Sequence, residues 1–261
     1  MTSMTFADGN ILASRRAPVA TIVINRSEVK NALDSKTVRG LAGCFQIVDA
    51  DEEVRAVVLT GGGNSFCSGA DMKELADDDV YFPWAGGNDG PLRLRLSKPL
   101  IAAIEGPACA EGLGMALFCD IRIVDDTALF GVFSRRWGVP IGDGTTVRLP
   151  QVVGVGRAMD MVLTGRTVGA DEAVAMGLAN RKVNRGTTRI EAEKLAMQLA
   201  EMPQTAMLSD RRAVYDGADL QDQAAIMHEA DLARRSFGSE AKTGIKQFEQ
   251  RAKGNIRLLA R

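Results

Sequence analysis

The chain has 261 residues, 46% of them hydrophobic, and its 32 Lys and Arg residues nearly balance 33 Asp and Glu residues. This composition is typical of one large or two small globular domains, and a net charge of -1 excludes strong attraction to nucleic acid or anionic membranes. With four cysteines that form no CxxC pair, no apolar run of membrane-spanning length and no signal-like residues 1–10, we expect a cytoplasmic protein.

The first half of the chain alternates short apolar strands with helices. A helix begins after Asp34 or Ser35, either of which can cap it, and its apolar residues recur at helical spacing. Strands are predicted at Ala20–Asn25, Arg55–Thr60, Leu100–Glu105 and Ile121–Val124. Helical crossovers between buried strands predict a parallel sheet, which binds ligands beyond the carboxyl ends of its strands.

Two glycine-rich turns lie at such strand ends, at Gly61–Glu74 and Gly106–Gly114. Each leaves an apolar strand through small residues and enters a helix, so each presents backbone N–H groups. Either turn alone is explained as a tight strand-to-helix connection. Together they could direct two N–H donors at one oxygen, as in an oxyanion hole that stabilises the enolate of a thioester.

The remaining segments divide the chain. Asp77–Pro91 contains three consecutive aspartates, a Gly pair and two prolines, and it predicts an exposed or mobile loop. From about Gly186 the pattern is helical. We therefore expect a core at 1–185 and a helical region at 186–261, with helices at Ile190–Glu201, Gln204–Tyr215, Leu220–Phe237 and Glu240–Arg251.

Several other kinds of site are excluded by spacing. The sequence has no GxxxxGK[ST] loop, no GxSxG elbow and no complete dinucleotide fingerprint. His228 is the only histidine and no second histidine follows it four residues on, so a zinc-protease motif is excluded. Ser/His/Asp or Cys/His catalysis would have to use His228, and neither is expected. No metal site is predicted, and His228 is expected on a helix surface or in a core.

Both turns, together with several other segments in order, resemble the enoyl-CoA hydratase/isomerase (crotonase) family over most of the chain. Phe66–Glu74, in the first turn, resembles the FxAGADxKE loop, and Gly106–Asp120, which begins with the second turn, resembles the GxxxGGGxxLAxxCD segment. Further matching segments are Asn25–Leu33, Lys98–Ile104, Gly138–Leu149, Leu163–Arg166 and Ala170–Leu178.

The resemblance implies an α/β fold, with a crotonase-like (ββα)n spiral core and a C-terminal helical trimerisation region. It implies an acyl-CoA thioester substrate, no cofactor beyond the coenzyme A of that substrate, and a homotrimer or homohexamer. The oxyanion donors would be the N–H groups of Ala70 and Glu111, which must then converge and be unbonded within the protein. Glu111 stands where the family usually has glycine.

The resemblance also implies residues that bind coenzyme A. Those expected to line its adenine end, mostly through backbone groups, are Ser68, Ala70, Asp71 and Met72. Arg26 and Lys30 could contact the phosphates, and Phe248 with Arg251 could close the site of the same or of a neighbouring subunit. Solvated charge is the alternative for Arg26, Lys30 and Arg251, and helix capping is the alternative for Asp71.

The sequence departs from the family where hydration needs carboxylates. The two glutamates that would move protons align with Gly114 and Ser134, so we expect inefficient hydration. Asp143 lies near the position at which some family isomerases carry an aspartate, although it could simply cap the helix after it. Glu111 could point into the pocket as an acid or base, but a solvent-facing side chain is expected.

Isomerisation of a double bond needs one carboxylate that moves a proton between two carbons. We therefore predict an acyl-CoA enzyme that forms an enolate, with isomerisation favoured over hydration and Ala70, Glu111 and Asp143 at the reacting centre. A non-catalytic acyl-CoA-binding protein is an alternative, and thioester hydrolysis or decarboxylation is a third. Tight binding without product, or release of free thiol or carbon dioxide, would distinguish them.

Overall fold

The computed structural model describes residues 2–77, 90–93, 95–202, 204, 207–208, 210–212, 214–215 and 239–252. The described strands are β1 (Thr2–Phe6), β2 (Ile11–Arg16), β3 (Val19–Ile24), β4 (Ala56–Gly61), β5 (Leu100–Ile104), β6 (Pro107–Cys109), β7 (Ile121–Val124), β8 (Leu129–Gly131), β9 (Val168–Gly169) and β10 (Arg181–Lys182). The described helices are α1 (Ser35–Ala50), α2 (Met72–Asp77), α3 (Glu111–Phe118), α4 (Thr145–Val153), α5 (Val155–Thr164), α6 (Ala170–Ala175), α7 (Thr188–Glu201) and α8 (Ser239–Ala252).

The main sheet has the strand order β1-β2-β3-β4-β5-β7-β10. From β3 to β10 the neighbours are parallel, which confirms the four predicted strands and their parallel pairing. Strands β1 and β2 form an antiparallel extension that the sequence analysis did not predict. Helix α1 begins as expected after Asp34, whose carboxylate accepts the N–H of Thr37 at 2.7 Å.

Helices cover both faces of this sheet because successive side chains of a strand point to opposite faces. On one face, Val57 and Leu59 of β4 belong to a large core shared with α1 and α3. On the other face, Ala56 and Val58 pack in a second core with α7. Both faces of the central strands are therefore buried, as a parallel sheet requires.

A small second sheet fixes the position of the second glycine-rich turn. Strand β6 pairs in parallel with β8, with Pro107 opposite Leu129, and β8 pairs antiparallel with β9. Because β6 leads directly into α3, this sheet determines where the first residues of α3 lie. This small sheet is absent from the predicted strands because β6, β8 and β9 have three residues or fewer.

The helical character predicted for the C-terminal region is confirmed where the structure describes it, in α7, in α8 and at residues 204, 207–208, 210–212 and 214–215. The predicted helix 220–237, His228 and most of the predicted loop, at 78–89, lie outside the described residues. Ile245 of α8 packs against Val139, with Met72 of α2 and Trp137 beside them. Within the described ranges, no helix has the length and apolar character needed to cross a membrane.

Candidate active site

The two glycine-rich turns lie against each other. The N–H of Cys67 donates to the Pro107 carbonyl at 2.8 Å, and the N–H of Cys109 donates to the Cys67 carbonyl at 3.0 Å. A Cβ atom on Gly112 would lie 2.2 Å from the Cys67 carbonyl oxygen, so only glycine permits this approach. The expected proximity of the turns is confirmed.

The backbone amide of Ala70, in the first turn, is hydrogen-bonded to the side chain of the second turn's Glu111. The N–H of Ala70 donates to Glu111 Oε2 at 2.9 Å, and Glu111 is only 5% exposed. Two expectations are therefore wrong: the Glu111 side chain does not face solvent, and the Ala70 amide is not unbonded. A sequence cannot show this contact, because the side-chain rotamer at 111 follows from the packing of the turns.

Burial and a neighbouring acid determine the electrostatics of Glu111. Burial raises the pKa of Glu111 to about 7, and the nearby Asp143 carboxyl group contributes to the increase. Hydrogen bonds from the backbone of Ala70 and of Glu111 itself oppose this increase. The amide of Ala70, one of the two predicted donors, is therefore already bonded to this carboxyl group.

Asp143 lies in the loop before α4 and is 2% exposed. Its Oδ1 accepts the N–H of Thr145, the first residue of α4, at 2.8 Å, although the N-cap position itself is taken by Gly144. Its other oxygen lies 2.4 Å from the position that a Cβ atom on Gly114 would take. The carboxylate of Asp143 thus occupies the space in which a side chain at 114 would begin, and burial raises its pKa.

Arg148 of α4 is a residue of this site that the sequence analysis missed. Its guanidinium donates to the Asp143 carbonyl at 3.2 Å and to the Leu92 carbonyl at 2.8 Å, and the residue is buried. The positive charge opposes the effect of burial on Asp143. A lone arginine among the apolar residues of the segment 147–153 is the signal that could have revealed it.

Arg26 and Asp71 form an ion pair within the protein. One guanidinium nitrogen of Arg26 lies 3.1 Å from both Asp71 Oδ2 and Asp34 Oδ2, and its side chain is 13% exposed. The alternative of solvated charge is therefore wrong for Arg26. Asp71 Oδ1 accepts the N–H of Lys73 at 3.1 Å, so the capping alternative for Asp71 is confirmed.

The other residues predicted to bind coenzyme A lie on or near the first turn. The N–H of Ser68 donates to the carbonyl of the exposed Lys30 at 3.0 Å, so this backbone group is already used. Met72 packs against α8 in the cluster described above. Phe248 and Arg251 belong to α8, but their side chains lie outside the described part of the chain. Contact with coenzyme A stays a prediction for all of these residues.

Comparison with known proteins identifies the family. The profile of the family described as enoyl-CoA hydratase/isomerase matches residues 14–256. The chain belongs to the enoyl-CoA hydratase/isomerase family. Enoyl-CoA hydratase EchA19 of Mycobacterium tuberculosis is 32% identical over 254 residues, covering 94% of this chain and 95% of EchA19. Crotonyl-CoA hydratase of Syntrophomonas wolfei is 31% identical over 253 residues, covering 95% of this chain and 97% of that hydratase.

A solved structure of a carnitinyl-CoA dehydratase from Mycobacterium avium superimposes with a TM-score of 0.82 at 32% identity, covering 92% of this chain and 97% of that one. The crotonase-like α/β fold and the family resemblance are thereby confirmed, and this member of the enoyl-CoA hydratase/isomerase family is an acyl-CoA enzyme. Trimerisation through the C-terminal helices stays a prediction.

Proposed function

We propose that this enzyme isomerises the double bond of an enoyl-CoA thioester through an enolate. The observation that carries the proposal is the pair of buried carboxyl groups, Glu111 and Asp143, beside the Ala70 amide. A carboxyl group buried near a second one has a raised pKa, which suits it to exchange protons near neutral pH.

The thioester oxygen would take the place of Glu111 Oε2 and accept the N–H groups of Ala70 and Glu111. In that position both amides would face the oxygen on which negative charge develops when the α-carbon loses its proton. One such donor typically contributes about 10²- to 10³-fold in rate. This role is supported for the Ala70 amide by the 2.9 Å hydrogen bond that it donates to a carboxyl oxygen of Glu111.

Asp143 would transfer the proton. Its carboxylate removes a proton from the α-carbon of a 3-enoyl thioester, the electrons pass into the dienolate, and the same proton returns to the γ-carbon to give the 2-enoyl thioester. No water is added, and Asp143 ends in its starting state. General acid–base catalysis of this kind contributes about 10²- to 10⁴-fold.

Hydration is a second candidate, and the buried side chain of Glu111 favours it. Gly114 and Ser134 lack the usual carboxylates, yet Glu111 and Asp143 place two carboxyl groups in the site from other positions. Two such groups could activate a water molecule and protonate the α-carbon. The relatives named as hydratases are consistent with this candidate.

A panel of 2- and 3-enoyl-CoA thioesters tests the proposal. Isomerisation gives a product of unchanged mass with a gain of conjugated-thioester absorbance, whereas hydration adds the mass of one water and removes that absorbance. We expect Asp143→Asn to lower turnover about 10²-fold or more. Unchanged turnover in Asp143→Asn would exclude Asp143 as the base, and binding without any product would favour a non-catalytic protein.

A further inference from the structure

The Glu111 carboxyl group lies at the position proposed for the thioester oxygen. Its Oε2 is 2.9 Å from the Ala70 nitrogen and also 2.9 Å from the point that a Cβ atom on Gly69 would occupy. Oε2 of Glu111 is therefore in close contact with the first turn. A thioester oxygen cannot accept the Ala70 N–H unless this carboxyl oxygen moves away. This part of the side chain is held by a hydrogen bond, which rotation about its side-chain bonds can break.

We propose that the Glu111 carboxyl group is a built-in competitor of the thioester oxygen, so that acyl-CoA binds as this group leaves the Ala70 amide, and binds most tightly when the group is protonated. This inference rests on the proposed function. It makes Glu111 a residue that controls substrate affinity through its side chain, in addition to the role proposed for its backbone N–H.

The competition follows from the chemistry of the two acceptors. A carboxylate is a charged acceptor, and its hydrogen bonds are roughly twice as strong as those of a neutral acceptor such as a thioester carbonyl. Displacing the carboxylate is needed for both the bound substrate and the enolate. Substitution of Glu111 by a residue without a carboxylate should therefore lower KM more than it changes kcat, because the cost of displacement is removed equally from the bound substrate and from the enolate.

Protonation weakens the competitor because a neutral carboxyl group is a poorer acceptor. The groups that face Glu111 are Asp143 from the loop before α4 and the Cys67 thiol from the first turn, while Arg148 acts through Asp143. Burial raises the pKa of Cys67 far above neutrality, so this thiol stays uncharged. Affinity should consequently increase as the pH falls through about 7, the pKa of Glu111.

The test measures the Kd of butyryl-CoA, a saturated thioester that cannot isomerise, by titration calorimetry on either side of pH 7. The proteins compared are the full-length wild type, Glu111→Ala, Glu111→Gln and the matched control Glu191→Ala on α7, which covers the opposite face of the sheet. The coenzyme A phosphates titrate in the same way with all four proteins. The readout is therefore the difference between each variant and wild type in Kd and in its pH dependence.

Above pH 7 we expect Glu111→Ala to bind about tenfold more tightly than wild type, which corresponds to about 1.4 kcal/mol. Both Glu111 variants should lose the pH dependence that wild type and Glu191→Ala share. Glu111→Gln keeps the shape of the side chain without its charge, so it still provides the test if the alanine variant does not fold.

Equal affinity and an identical pH profile in wild type and both Glu111 variants would overturn the competitor role and leave the proposed function standing. A lower affinity in both variants would also overturn it, because the carboxyl group would then assist binding. No binding by any of the four proteins would instead overturn the proposed function, and the competitor role with it.

Discussion

Gly114 is the position at which a small change tests the geometry of the carboxyl pair. A methyl group there would lie 2.4 Å from Asp143 Oδ2 and 2.5 Å from its Cγ, far inside contact distance. Asp143 cannot simply turn away, because it is buried and the Thr145 amide holds its Oδ1. We therefore expect Gly114→Ala to overpack the site at a cost of about 1–3 kcal/mol.

A second term acts in the opposite direction, because Ala in a helix is favoured over Gly by about 0.5–1 kcal/mol. Gly114 lies inside α3, so the net effect on the free energy of unfolding should be a loss of up to about 2.5 kcal/mol. In an Asp143→Ala background the three nearest atoms are gone. There Gly114→Ala should stabilise the protein by about 0.5–1 kcal/mol.

Urea denaturation of the four proteins of this double-mutant cycle measures the difference. The helix preference of Gly114→Ala is the same with and without Asp143, and the loss of the Thr145 hydrogen bond in Asp143→Ala is the same with and without the methyl group at 114. The coupling energy therefore isolates the steric repulsion of about 1–3 kcal/mol. The same stabilisation by Gly114→Ala in both backgrounds would refute the placement of Asp143 against Gly114.

Three further predictions concern stability. Ala110 has φ 49° and ψ -120°, so Ala110→Gly should raise the free energy of unfolding by about 1 kcal/mol, and a loss in urea denaturation would contradict this strain. Arg26→Met should lower the free energy of unfolding by about 2 kcal/mol, because it leaves Asp34 and Asp71 without their cationic partner. The loss is smaller than for a fully buried pair, since the side chains of Asp34 and Asp71 are 22% and 15% exposed, and an unchanged melting temperature would refute it. The pKa of Glu111 is raised from 4.5 to about 7, so between pH 4.5 and 7 the folded state binds a proton that the unfolded state has lost. The free energy of unfolding should therefore fall as the pH rises across this window, and Glu111→Gln should flatten this pH dependence. A pH dependence as steep in Glu111→Gln as in wild type would count against the raised pKa.

Much of the fold could be predicted because it depends on local patterns. Ile121–Val124 has the predicted bounds, β5 ends one residue earlier than predicted, and β3 and β4 are each displaced from the prediction by one residue at both ends. The hairpin of β1 and β2 was not predicted, because the apolar run that begins β2 is only three residues long and polar residues surround it.

The candidate site was predicted in part. The two turns and Asp143 could be found from glycine spacing and family resemblance, since both are written along the chain. The orientation of Glu111, the ion pair of Arg26 and the contact of Arg148 with Asp143 could not, because each joins residues whose placement depends on tertiary packing. The two positions at which the family usually carries glutamates hold Gly114 and Ser134, and only the structure shows that the Asp143 carboxylate occupies the space left by Gly114.

The central claim is that the Ala70 and Glu111 amides bind the thioester oxygen. Difference infrared spectroscopy of butyryl-CoA, labelled with ¹³C at the thioester carbonyl, tests it most directly. Two hydrogen bonds to the oxygen should polarise the bond, so the labelled carbonyl band is predicted to move to lower frequency when the thioester binds. A band that stays at its solution frequency in the saturated complex would contradict the claim.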